Sequence, residues 1–372
     1  MEPFRLDGER LWILDQTLLP REERWIEIAD ARGMVDAITR LRVRGAPAIG
    51  IAGALGLWLE ARRIVREEGG RAQAGPGSVG LLARAGIETL RSAARSIRVA
   101  RPTAANLGWA VDRVLRVAEE AASPRSDAGV SAEIADAETW TRAILAEALA
   151  IWEEDRAASR AMARWGASLF RSETRFLTHC HTGGLATGGG GTALGVLLEL
   201  HRSGRLISVW ATETRPVLQG ARLTAWELQR EGVAVTVVAD GAAASLLARA
   251  SIEAVVVGAD RIARNGDVAN KVGTYPLALA AREARIPFVV VAPSSTCDPE
   301  CRSGAGIPIE ERDPSEVLAY QGIPTAPSGV GASNPAFDVT PARLVTAIVT
   351  ERGVHRAPRF LLAGVDKGSK YR

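Results

Sequence analysis

A thiol followed by a run of glycines is the first stretch of this chain whose residue types could do chemistry. Residues 174–195 read TRFLTHCHTGGLATGGGGTALG. Cys180 stands just before a loop that holds Gly183, Gly184 and Gly188 to Gly191. Bare backbone N–H groups and a helix start converging on one spot suit an anion such as phosphate. A thiol beside such a spot is unusual enough to raise the question of what chemistry it does.

Further polar residues follow at the ends of later apolar runs. They are Glu213-Thr214-Arg215-Pro216 with Gln219 one turn on, Asp240, Gly258-Ala259-Asp260-Arg261, Asn270-Lys271, and Pro293-Ser294-Ser295. Singly these are ordinary loop residues; on one rim they describe a site. Asp240 also reads as a helix cap. Upstream, Val43-Arg44-Gly45 precedes Ala46-Pro47. An arginine beside the free N–H groups of a helix start makes a second anion-friendly corner. Lysine usage singles out one more position. Of 46 basic residues, only Lys271, Lys367 and Lys370 are lysines. Lys271 is the one internal case, and lysine differs from arginine where a compact ammonium must fit.

The elements that must position these residues change character near residue 145. Before it the chain reads mostly helical. Trp25 to Arg40 and Ala46 to Glu68 carry apolar residues at three- and four-residue spacing, and Ala104 to Glu120 follows a Pro-Thr entry. Residues 69–78 and 122–129 are Gly/Ser/Pro-rich and read as loops. Ile134 to Ser168 reads as one or two long helices. From Arg175 onward, near-continuous Val/Ile/Ala runs at 206–212, 233–239, 252–259 and 286–292 read as strands covered on both faces, hence parallel. Helical segments fall between them at 192–202, 217–231, 242–250 and 274–285. The expected fold is α/β: a mostly helical N-terminal domain over residues 1–140 and a Rossmann-like, doubly wound parallel sheet over 141–372. In such a sheet ligands bind beyond the carboxyl ends of the strands, where the polar residues above collect.

Composition narrows the function classes. With 372 residues, 47% apolar and 24% charged, the chain has material for two ordinary globular domains. A net charge of +3 and no basic run interleaved with aromatics argue against a nucleic-acid binder. The longest apolar stretch, Ala46 to Leu59, is too short to span a bilayer, and Met1 to Gln16 lacks the apolar core of a signal peptide. Three cysteines, an odd number in a long chain, suit reduced thiols and a cytoplasmic setting. His179-Cys180-His181 invites a metal, but alternation puts the thiol opposite both imidazoles, and no metal site is expected.

Taken in order, RVRGAPAIG, ARPTAANL, THCHTGGLATGGGGTALG, ETRPVLQGARLTAWEL, VVVGADRIARNGDVANKVGTYPLA and NPAFDVTPARL resemble the methylthioribose-1-phosphate isomerase family of methionine salvage. That family is grouped with ribose-1,5-bisphosphate isomerases and with regulatory subunits of a translation initiation factor. The resemblance covers nearly the whole chain. It implies a cofactor-free homodimer acting on a small sugar phosphate, with a helical N-terminal domain and a Rossmann-like C-terminal one. It implies Cys180 and Asp260 as the catalytic pair, and Arg44, Gly45, Ala46, Arg101, Gln219, Asn270 and Lys271 as substrate contacts. Two features depart from the pattern: the family most often has Asn where this chain has His181, and the loops at 69–78 and 122–129 are longer than usual.

The substrate so implied carries phosphate on the anomeric oxygen, which prevents the free aldehyde from forming. Asp260, kept protonated by burial, would open the ring by protonating its oxygen. Cys180 would take the C2 proton, or only stabilise charge during a 1,2-hydride shift. Arg44, Lys271 and the glycine-loop N–H groups would hold the phosphate. Three other readings stay in view. A ribose-1,5-bisphosphate isomerase would use the same chemistry with a basic pocket at C5. A regulatory subunit would need neither Cys180 nor Asp260. A nicotinamide dehydrogenase is suggested by Gly188 to Ala193 with Glu213 at the next strand end, but its fingerprint needs glycines in a tight turn after the strand.

Overall fold

The computed structural model describes residues 1–69, 78–123, 137–172, 174–249, 252–320 and 322–356. The loops read at 69–78 and 122–129 fall for the most part outside the described residues.

Alternation rather than helical spacing governs the first residues. Leu11 and Ile13 are buried while Arg10 is exposed and Trp12 only partly covered, the period of a half-buried strand. Strands β1 (Phe4–Asp7), β2 (Arg10–Leu14) and β3 (Trp25–Ile28) form an antiparallel sheet. The helix expected over Trp25 to Arg40 is therefore split. Trp-Ile-Glu-Ile pairs with β2, and Asp30 resets the period by accepting the Gly33 N–H at 2.8 Å, so α1 begins at Ala31. Helices α1 (Ala31–Thr39), α2 (Ala46–Gly69), α3 (Ser78–Val99) and α4 (Ala105–Ala121) follow, then α5 (Ala137–Ala167). The stretch from Ile49 to Leu59 in α2 is buried on every face, so this helix forms the centre of the first core. Trp140, Ile144, Ala148, Ile151 and Trp152 of α5 belong to that core, whereas Met162 and Ala167 belong to the next. One continuous helix thus ties the two cores together.

The second core is built on β4 (Thr174–Thr178), β5 (Leu206–Thr212), β6 (Val235–Val238) and β7 (Ala254–Val257). Past β7 the chain does not stay in loops. Strands β8 (Arg261–Ala263) and β9 (Val268–Lys271) form an antiparallel hairpin closed at Asn265-Gly266, where Gly266 has φ +87°. After β10 (Phe288–Val291) come five short strands absent from the sequence reading: β11 (Cys297–Asp298), β12 (Ala319–Tyr320), β13 (Ile323–Pro324), β14 (Phe337–Thr340) and β15 (Ala347–Thr350). The last strand, β16 (Gly353–His355), runs antiparallel to β15.

The large sheet has the order β16-β15-β10-β7-β4-β5-β6, parallel apart from β16. Helices α6 (Ala193–Arg202), α7 (Ala225–Arg230), α8 (Ala243–Arg249) and α9 (Thr274–Glu283) connect its strands. Successive residues of β7 and β10 point to opposite sides: Ala254, Val256, Val289 and Val291 pack with α5 and α6, while Val255, Val257, Phe288 and Val290 pack with α8 and α9. Burial on both faces is what the unbroken Val/Ile runs encode. A smaller sheet, β11-β8-β9-β14, lies beyond the carboxyl end of β7. No helix among the described residues is long and apolar enough to cross a membrane.

Phe176 at the middle of β4 is fully buried and meets Phe170 edge to face, with centroids 4.8 Å apart. Phe176→Ala is expected to cost about 3–5 kcal/mol of unfolding free energy, read from urea denaturation of the full chain. A loss below about 1 kcal/mol would mean that the sheet core is not packed around this ring.

Candidate active site

Strand order places the site. From β4 the chain winds outward through β5 and β6 on one side, and β7 leads through β10 and β15 on the other. The adjacent ends of β4 and β7 are therefore a topological switch point, where an open sheet leaves a crevice. Cys180 comes two residues after β4 and Asp260 three after β7. One cleft at this point is lined by Arg44, Gly45, Arg101, Cys180, Gln219, Asp260 and Lys271. Ala46 and Asn270, the other two expected contacts, do not line it. Ala46 opens α2 in the core, and Asn270 turns its Nδ2 to Thr274 Oγ1 at 3.0 Å.

Several lining residues carried no role in the sequence reading. Leu41, Ile49 and Val217 join Pro216 of the expected rim in an apolar wall, and Arg312, Glu316, Asn334, Ala336 and Phe337 close another side. The motif NPAFDVTPARL signalled the last three; nothing in the sequence signalled Arg312 or Glu316. These charged groups are already paired. Arg101 Nε donates to Glu310 at 2.7 Å, and Arg312 bonds both Glu310 and Glu316. Lys271 Nζ lies 4.6 Å from the centre of the Phe337 ring. The buried Gln219 Oε1 has no hydrogen-bond partner among the described residues, which makes it an acceptor suited to a ligand hydroxyl.

The glycine loop does not do what its composition suggests. None of residues 183–191 lines the cleft. Several of its N–H groups are taken up by the protein itself: Gly184 and Leu185 donate to Glu227 at 2.8 and 2.9 Å, Gly188 to Asp155 at 2.6 Å, and Gly191 to Thr187 Oγ1 at 2.8 Å. The expected phosphate cradle is thus a clamp on two buried or half-buried carboxylates. The clamp also explains Gly45, at φ +97°, where a Cβ would come within 2.5 Å of the Ala186 carbonyl oxygen. Asp240 likewise is not a simple helix cap. It accepts the Thr214 and Arg215 N–H groups at 2.8 and 2.6 Å and fixes the turn after β5.

Backbone strain collects here. Leu41, Cys180, Thr214 and Leu218 have φ of 61°, 62°, 64° and 62°, a region that side chains other than glycine disfavour. Cys180 is held in it by its N–H, which donates to Thr214 Oγ1 at 2.9 Å, and by its carbonyl, which accepts from Thr224 Oγ1 at 2.6 Å.

Electrostatics sort the charged groups. Asp260 opens onto the cleft, yet protein surrounds it closely enough that burial pushes its carboxyl up, against Lys271, Arg101 and Arg44. Burial pulls Lys271 down to about 8, with Arg101 and Arg44 acting the same way and Cys180 and Asp260 opposing. Behind the cleft, burial holds the His181 imidazole below its usual range despite Glu227. Burial alone would push Glu227 up, but His181 and the Leu185 N–H outweigh it and keep it ionised. Among the described residues no group of three or more His, Cys, Asp or Glu side chains could hold a metal ion.

A doubly wound sheet whose switch-point cleft carries a thiol, a shielded carboxyl and several cations defines an enzyme for a small anionic substrate. The chain belongs to the initiation factor 2 subunit family, whose pattern matches residues 42–357, and falls among its isomerases. It is 50% identical over 359 residues to the methylthioribose-1-phosphate isomerase of Pelotomaculum thermopropionicum, covering 96% of this chain and 92% of that protein. It is 49% identical over 353 residues to a 5-deoxyribose 1-phosphate isomerase of Moorella thermoacetica, covering 95% and 93%. The crystal structure of 5-methylthioribose 1-phosphate isomerase from Pyrococcus horikoshii superposes with a TM-score of 0.81 at 40% identity, covering 96% of this chain and 93% of that one.

One wall of the cleft reports its burial through pH. Asp338, opposite Asn270 in β14, accepts the Gly273 and Tyr275 N–H groups at the start of α9, and burial pushes it up to about 6. An acid raised on folding favours the folded state while it is protonated. That contribution is present below the ordinary carboxyl range and is lost as pH rises through about 6. Asp338→Asn, which cannot titrate, is expected to gain on the wild-type melting temperature as pH is raised from about 4 to about 7. A difference in Tm that stays flat across this window would contradict the burial.

Proposed function

We propose that the chain isomerises 5-methylthioribose 1-phosphate to 5-methylthioribulose 1-phosphate, a step of methionine salvage, as a cytoplasmic homodimer without a cofactor. The observation that carries this reading is the convergence of Cys180 and Asp260 with Arg44, Lys271 and Gln219 in one switch-point cleft. Asp260, raised by burial, donates its proton to the ring oxygen, and the C1–O bond opens. Cys180 as thiolate takes the C2 proton to give an enol phosphate. After exchanging with solvent, the thiol delivers a proton to C1 while the C2 hydroxyl gives its own to Asp260, leaving the ketose and both groups restored. Arg44 and Lys271 hold the phosphate, and the unpartnered Gln219 Oε1 takes a sugar hydroxyl.

The apolar wall of Leu41, Ile49, Pro216 and Val217 favours a thioether at C5. Arg101 and Arg312 are paired with Glu310 and Glu316, which disfavours a second phosphate there. The same wall would accept the methyl group of 5-deoxyribose 1-phosphate, the substrate in one relative's name, and this is the second reading.

Proton NMR of the EDTA-treated protein with each sugar phosphate separates these. The methylthio sugar is expected to be converted, and Cys180→Ala and Asp260→Asn each to lose about 10²–10⁴-fold in kcat. In deuterium oxide, solvent deuterium at C1 is expected; its complete absence would replace proton transfer by a hydride shift. Turnover of ribose 1,5-bisphosphate alone would overturn the substrate, and turnover of none would leave a regulatory subunit.

A further inference from the structure

Arg44 enters the cleft on a long side chain that would otherwise sample many rotamers. Here its guanidinium is held at both ends. Nη1 lies 2.6 Å from His181 Nδ1, and Nη2 donates to the His181 carbonyl at 2.9 Å while standing 3.7 Å from Cys180 Sγ. A guanidinium can only donate, so Nδ1 is the bare acceptor and Nε2 carries the ring hydrogen. Nε2–H then donates to Glu227 Oε1 at 3.0 Å. Glu227 has no freedom to turn away, because its two oxygens also accept the Gly184 and Leu185 N–H groups. His181 is 1% exposed and Glu227 6%, and neither lines the cleft.

We propose that His181, locked in one tautomer by Glu227, is a positioning residue that sets the Arg44 guanidinium against the Cys180 thiol and the phosphate end of the cleft. It touches no reacting atom and works through Arg44. The sequence departure from Asn to His falls on the ring that holds this cation. An asparagine at 181 would offer its own carbonyl oxygen to the same N–H, which makes His181→Asn the conservative replacement and His181→Phe the one that removes the acceptor.

The inference rests on the isomerase reading, and its test has one arm that does not. In steady-state kinetics of the full chain, His181→Phe is expected to raise KM for the methylthio sugar phosphate about tenfold or more, and His181→Asn to recover most of the loss. With Arg44 already changed to Gln, His181→Phe is expected to cost no more than about twofold. A fall in kcat at constant KM, equal in both backgrounds, would mean a merely structural role and overturn the proposal. So would full activity of His181→Phe. Independently of substrate, 15N NMR of the histidine rings, with His181 assigned by its loss in His181→Asn, is expected to show Nε2–H with bare Nδ1 at neutral pH. An Nδ1–H tautomer or an imidazolium would overturn the arrangement even if the wild type turned over no sugar phosphate, an outcome that would itself sink only the proposed function.

Discussion

A single carboxylate behind the cleft, Glu227, imposes order on both halves of the site. Sealing an ion inside a protein costs several kcal/mol unless its lone pairs are met by donors. Glu227 meets them with the His181 ring and the N–H groups of Gly184 and Leu185. The demand reaches into the sequence, because a Cβ on Gly183 would collide with the carboxylate. It also reaches across the molecule. The pinned loop offers the Leu185 carbonyl to Gln16 Nε2 at 2.9 Å and presses Ala186 against Gly45. Arg44 is therefore placed twice over, by its ring partner and by the backbone next to it.

The strained residues make sense in the same frame. A positive φ at Cys180 and at Thr214 costs about 1–3 kcal/mol each and survives only where neighbours fix the backbone. Thr214 Oγ1 takes the Cys180 N–H, and Asp240 takes the Thr214 and Arg215 N–H groups. Three strand ends are thus stitched into one rim, with the thiol turned toward the cleft. The parallel sheet behind contributes rigidity, since the apolar, fully buried β7 pairs with β4, whose Phe176, Leu177 and Thr178 are buried.

Sheet and rim were legible in the sequence for one reason: unbroken Val/Ile runs of strand length mark a parallel sheet with its polar residues at one end, although of these runs only β7 and β10 are covered on both faces while β5 and the edge strand β6 are partly exposed. The glycine loop misled for the converse reason. Its composition shows the N–H donors, but the carboxylates that consume them, Glu227 and Asp155, lie far away in sequence on α7 and α5. The Asn270 amide could not be placed from sequence, because a strand position fixes a face without showing which neighbour takes the Nδ2 hydrogen. Trp25 to Ile28 is short enough that alternation and helical spacing coincide, and only pairing with β2 decides between them. The Asn265-Gly266 hairpin could have been read, since that dipeptide between short apolar runs is a turn signal. Arg312 and Glu316 could not, because their partners are set by tertiary packing alone.

Charge in the cleft ties binding to chemistry. Lys271 has been pulled down to about 8 by burial, and Asp260 has been pushed up by the same cause. On the proposed reading, a phosphate dianion settles beside both. A nearby negative charge favours the protonated form of a lysine and of an aspartic acid alike. The substrate would therefore strengthen the ammonium that holds it and, by the same field, keep the carboxyl loaded with the proton that ring opening needs. An arginine at 271 would hold the anion but could not respond in this way, because its guanidinium is charged at every accessible pH. That difference gives a physical reason for one internal lysine in a chain that otherwise uses arginine for its cations.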